Sequence, residues 1–162
     1  MNARDKILAA IIILGIIGIA ISFSMDFLYI PQTPPENLTD VEITLERTAC
    51  YGTCPIYTIS ISGDGSVTYR GEQFVKTIGV QKYNISSGDV EELVALIYQK
   101  SFFSLRDRYE IGATDMPTVI TTVRVGDQIK SVENYGRAGP AQLHEIEQKI
   151  DELSNSESLW KE

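Results

Sequence analysis

Residues 49–69 read ACYGTCPIYTISISGDGSVTY, and the second half of that stretch decides the fold. Tyr57, Ile59 and Ile61 alternate with Thr58, Ser60 and Ser62, Gly63-Asp64-Gly65 intervenes, and Val67 and Tyr69 then alternate with Ser66, Thr68 and Arg70. Successive side chains on a strand point to opposite faces, so the pattern makes one face apolar and the other rich in hydroxyls. Glycines on either side of an aspartate supply the positive-φ positions of a tight reversal. This is a β-hairpin with one buried face.

The same alternation continues outward. On the N-terminal side Val41, Ile43 and Leu45 alternate with Glu42, Thr44 and Glu46, a half-buried strand. On the C-terminal side a fourth strand is expected over Phe74 to Tyr83. Ser86-Ser87-Gly88-Asp89 then opens a helix, with Ser86 as N-cap and Asp89 as its acidic partner. Val90, Leu93, Val94 and Ile97 recur at helical spacing up to about Lys100, and Phe102, Phe103 and Leu105 form an apolar plug. Ser104 to Met116 reads as a long loop. Val119, Thr121, Val123 and Val125 begin a second hairpin, which turns at Gly126-Asp127 and returns from Ile129 to Tyr135. Gly139-Pro140 opens the last helix, with Leu143, Ile146, Ile150 and Leu153 as its stripe. The tail from Ser154 is polar and expected to fray.

The expected architecture is therefore α+β: an antiparallel sheet of about six strands with two helices on one face, in two layers. The other face is expected to be wet. Both halves read as hairpin then helix, the mark of a degenerate duplication.

The chain has 162 residues, enough for one domain, and a formal net charge of −8. An acidic domain repels phosphate backbones, and no run of three basic residues occurs, so nucleic acid is not an expected partner. The clearest single segment is ILAAIIILGIIGIAISF, residues 7–23, seventeen residues without a charge. A bilayer-spanning helix needs about 20 residues, and the apolar character runs on to Tyr29. Arg4 and Lys6 precede it, which places residues 1–6 in the cytoplasm and everything after the span outside. The expectation is a signal anchor over residues 7–29, in contact with lipid, rather than a signal peptide cleaved after Ala20-Ile21-Ser22. The apolar run exceeds the usual h-region of about 7–15 residues. Pro31, Pro34 and Pro35 stiffen a linker over residues 30–40. An extracytoplasmic domain over 41–153 and a tail over 154–162 complete the organisation.

Cys50 and Cys54 lie about 13 Å apart if the chain is extended, and a disulfide needs Cα atoms within about 7 Å. They pair only if Tyr51-Gly52-Thr53 folds back, which Gly52 allows. An extracytoplasmic location makes oxidation the default and favours a structural disulfide over exchanging thiols. A Cys-x-x-Cys spacing at a helix N-terminus, the usual redox arrangement, is not present. Zinc needs four ligands, and only His144 stands with the two cysteines, so neither metal nor cofactor is expected.

His144, the one histidine, reads as an ordinary helix residue, and Asp64 as turn chemistry. Arg106, Asp107, Arg108, Tyr109 and Glu110, with Asp115 beyond, make the most function-like polar cluster, a candidate binding loop. Self-pairing of those charges is the competing reading. Asn37-Leu38-Thr39 and Asn84-Ile85-Ser86 fit the glycosylation sequon at Asn37 and Asn84.

The stretches Cys50 to Tyr57, Gly63 to Tyr69, Val90 to Phe103, Asp115 to Thr118 and Val132 to Tyr135 together resemble a prokaryotic domain-of-unknown-function family, number 6438. The resemblance spans about Glu42 to Leu153 and implies no activity, ligand or catalytic residue. The expected role is a non-enzymatic binding or structural module, meeting an extracytoplasmic protein or envelope component through its wet sheet face or the 104–116 loop. The alternative is a thiol-disulfide active envelope protein using Cys50 and Cys54.

Overall fold

Alternation becomes a sheet here because each strand has its apolar side chains in register with those of its neighbours. The computed structural model describes residues 33–161. The expected cytoplasmic N-terminus, the span over 7–29 and the first linker residues lie outside the described residues. Among the described residues no helix is long and apolar enough to cross a membrane.

Strands β1 (Val41–Arg47), β2 (Ile56–Ser62), β3 (Ser66–Gln73) and β4 (Gly79–Asn84) come first. Helix α1 (Ser87–Gln99) and a 3-10 turn at Phe102–Ser104 follow, then β5 (Arg108–Tyr109), β6 (Thr118–Val125) and β7 (Gln128–Tyr135). Helix α2 (Ala141–Leu153) and the short α3 (Glu157–Trp160) close the chain. The strands form one seven-stranded sheet in the order β4-β3-β2-β1-β6-β7-β5. Every pairing is antiparallel except that of β5 with β7.

Register sorts the helix-facing side into rows. Ile43 sits between Ile61 and Val123, with Val67 beyond Ile61. Leu45 sits between Ile59 and Thr121, with Tyr69 beyond Ile59 and Val132 beyond Thr121. These rows are buried with Val90, Leu93, Val94 and Ile97 of α1 and Leu143, Ile146 and Ile150 of α2. One further row, at the far end of β1, is different: Arg47 pairs with Tyr57 on one side and Val119 on the other, and Val119 pairs with Asn134. The opposite sheet face is polar, with Thr44, Ser60, Thr68, Thr122 and Ser131 in one cross-strand row.

Local signals account for the helix ends. The Ser86 hydroxyl accepts the Asp89 amide at 3.1 Å and the Asp89 carboxylate accepts the Ser86 amide at 3.0 Å, a closed capping box. Pro140 caps α2, where its missing N–H leaves no bond unmade.

The strand count is a correction: seven, not about six. The extra one, β5, is two residues long and pairs parallel to β7, a contact without periodicity of its own. The fourth strand is shorter than expected, since left-handed backbone at Phe74 (φ 54°) and Gly79 (φ 94°) turns residues 74–78 into a loop. The tail does not fray. Ser154 and Ser156 are buried, and α3 brings the Trp160 ring against Tyr57, 5.9 Å between centroids and 16° from parallel.

Candidate functional site

The functional geometry gathers at the end of the sheet where β1 hands over to β2. The connection, residues 48–55, holds Cys50 and Cys54, joined as a disulfide with Cα atoms 5.8 Å apart. The bond closes the mouth of the β1–β2 connection beside the Arg47–Tyr57 pair. It leaves residues 51–53 at the surface, with Tyr51 91% exposed.

Behind the loop lies a polar cluster that the sequence patterns did not reveal. Arg47 Nε donates to the Tyr57 hydroxyl at 2.7 Å and its terminal nitrogen to Asp151 at 2.6 Å. Tyr57 donates to the other Asp151 oxygen at 2.8 Å, as does the Ser156 hydroxyl at 2.6 Å. Burial pushes the Tyr57 phenol far up, reinforced by Asp151, so it stays a neutral donor. Desolvation alone would lower Arg47, but Asp151 and Tyr57 together more than offset it and the guanidinium ends up raised. One turn earlier on α2, Glu147 accepts from the Asn134 amide at 2.8 Å, and Asn134 in turn accepts the Gly139 amide at 2.8 Å. Burial pushes the Glu147 carboxyl up to about 7. Through these bonds the cluster ties α2 to the polar row of the sheet.

Large apolar side chains are exposed at this pole, interspersed with exposed Thr53, Glu72, Gln73, Lys76 and Asp115. Tyr51, Phe74, Ile78, Val80, Ile111 and Met116 are exposed, and only Ile129 among the exposed large hydrophobics lies at the other end. A cavity of about 520 Å³ runs between the disulfide loop, the β3–β4 loop and α3, lined by Thr53, Pro55, Phe74, Val75, Trp160 and Lys161. Gly71 makes this packing feasible: a Cβ there would lie 2.1 Å from the Thr77 carbonyl oxygen. The chain enters the domain at the opposite pole, where Asp40 accepts the Gly126 amide of the β6–β7 turn.

The sequence-predicted site residues divide. Cys50 and Cys54 are bonded to one another. Asp115 meets their loop, its carbonyl accepting the Tyr51 amide at 3.0 Å, so the end of the candidate binding loop touches the disulfide loop. Asp107 pairs with Lys130, and Arg108 pairs with Glu110 and Glu133, so these charges of the candidate loop are spent on the β7 edge. Arg106 is exposed and its amide bonds the Tyr109 hydroxyl. Asn37 and Asn84 are both exposed. His144 is half-buried, lowered by burial and by Arg137. Among the described residues no group of three or more His, Cys, Asp and Glu side chains is placed to hold a metal ion.

Glu147 and Asp151 were missed because acidic residues on a helix are ordinarily solvated. Their signal was positional: four apart, and flanked by Ile146 and Ile150 of the buried stripe. A search of curated proteins returned no match. A family model does match, over residues 41–154, and the chain belongs to that family: Domain of unknown function (DUF6438).

Proposed function

We propose that the protein is a non-enzymatic binding module, carried outside the cytoplasmic membrane by an N-terminal anchor over residues 7–29, with the disulfide pole as its contact surface. The observation that carries this reading is that exposed Tyr51, Phe74, Ile78, Ile111 and Met116 all lie at the end of the sheet that the disulfide closes. Exposed apolar patches of this kind mark interaction sites. The disulfide favours an oxidising compartment, and Arg4 and Lys6 ahead of the apolar run favour the outward orientation. A degenerate duplication is supported by the hairpins β2–β3 and β6–β7 flanking β1 on its two sides, the first followed by β4 and α1 and the second directly by α2.

The test is maleimide labelling of protein taken directly from membranes, before and after reduction. Label appearing only after reduction, on protein that is membrane-bound and open to protease from outside, is the expected result. Two labels before reduction would favour thiol exchange at Cys50 and Cys54, a reading supported by the exposed loop between them. Recovery of the protein in the soluble cytoplasmic fraction would overturn the anchor.

A further inference from the structure

The two edges of the sheet are finished differently. At one end the two-residue β5 covers only Glu133 and Asn134 of β7, leaving Gln128–Val132 as a short stub of edge, and the segment is tied by Asp107–Lys130 and Arg108–Glu133. A short, charged edge of this kind resists further pairing. At the other end β4 is six residues long, and every residue in it except half-buried Tyr83 is exposed. Its outer row of backbone amides and carbonyls is a template for another strand.

Three further features single out this edge. Ile78 and Val80 are 66% and 44% exposed, beside or within the strand. Phe74, in the loop leading into it, is 51% exposed and has φ 54°, a conformation that a bulky side chain rarely adopts. Strain of this sort concentrates at functional sites. The third is charge. On a domain that carries the chain's net negative charge, the β3–β4 hairpin has Arg70, Lys76 and Lys82 against Glu72 alone. None of the three cations makes an ion pair among the described residues, a state they share with Arg106 and Arg137, whereas Lys100, Arg108, Arg124, Lys130 and Lys149 all do. A lysine on an edge strand is a common guard against pairing, but here it stands beside exposed aliphatic side chains that weaken that guard.

From these features we infer that the β4 edge is a strand-addition site for an extended, acidic segment of another protein. The proposal rests on reading the domain as a binding module. The ligand strand pairs its backbone with β4 and lies on the polar sheet face beside Val80 and Lys82, with Arg70 across from Val80 on β3. The recognised pattern is therefore an acidic residue with an aliphatic one two positions away, side by side on one face of the strand. A second copy of this chain is the poorer occupant, because β4 against β4 would bring two sets of unpaired cations together.

The test uses the full-length chain in nonionic detergent. The probe is a fluorescein-labelled eight-residue peptide in which threonine alternates with valine and glutamate; the control carries lysine in place of glutamate. The expected result is saturable binding of the glutamate peptide alone, weakening with salt, with slowed hydrogen exchange confined to β4. Joint replacement Arg70→Glu and Lys82→Glu, both at exposed positions, is expected to lower affinity about tenfold or more. Val80→Pro is expected to abolish binding, and the charge reversal keeps the test decisive if that variant misfolds. No peptide binding, binding indifferent to charge reversal, or protection elsewhere would overturn the proposal. So would binding to phosphatidylglycerol vesicles in place of peptide, or β4 protection that grows with protein concentration alone. Disulfide exchange with a thiol substrate, lost in Cys50→Ser, would instead overturn the binding-module reading.

Discussion

Arg47 and Asp151, 104 residues apart in the chain, meet at 2.6 Å where the end of β1 faces the last turn of α2. Asp151 is 4% exposed and also accepts from Tyr57 and Ser156, so one carboxylate serves three side-chain donors. Removing one member of such a buried set strands the others.

Asp151→Ala is therefore expected to destabilise the domain by about 3–5 kcal/mol. Asp151→Asn, which keeps the shape and one acceptor, should cost less. Urea unfolding followed by Tyr and Trp fluorescence checks both. A loss below about 1 kcal/mol for the alanine variant would class the pair with exposed surface ion pairs.

Glu147 makes stability fall as pH rises. Its carboxyl is pushed by burial from an ordinary 4.5 to about 7, so between those values the folded chain holds a proton that the unfolded chain has released. The folded state is favoured by this group at the acid end of that window, loses stability through it, and levels off above about 7. Glu147→Gln should remove the slope and leave the variant at least as stable as the parent at pH 8. Denaturation midpoints of the two proteins between pH 5 and 8 read the difference directly. Parallel curves would show that Glu147 is not the titrating group.

Opening the disulfide should cost little. Closing the loop from Cys50 to Cys54 contributes about 2 kcal/mol in the chain-entropy picture. Cys50→Ser with Cys54→Ser is expected to lower the melting temperature and leave far-UV circular dichroism unchanged. Complete unfolding would mean the bond does more than hold a local crossing.

Phe74 is expected to be a liability to the fold. Phe74→Gly relieves a left-handed backbone while removing a half-exposed ring, and should leave stability unchanged or raise it by about 1 kcal/mol. A loss of more than about 1 kcal/mol would show that the ring's packing outweighs the strain.

The hairpins, the capping box at Ser86 and Asp89, and the apolar stripes of both helices were determined by the sequence itself, because each depends on side chains within one or two turns or strands of one another. The fold-back of residues 51–53 that lets Cys50 and Cys54 pair was legible in the same way, from Gly52 and the spacing. Tertiary structure alone decided which rows face which. Register placed Arg47, Tyr57 and Asn134 in the one polar row beneath α2, and docking of α2 then turned Glu147 and Asp151 inward against it. It also brought Asp115 to Tyr51 and Trp160 to Tyr57, and left the whole of β4 as an outer strand of the sheet. The physical reason is range. Alternation and capping act between near neighbours, whereas strand order, register and helix docking join residues up to about a hundred positions apart, and no periodicity in the chain encodes those distances.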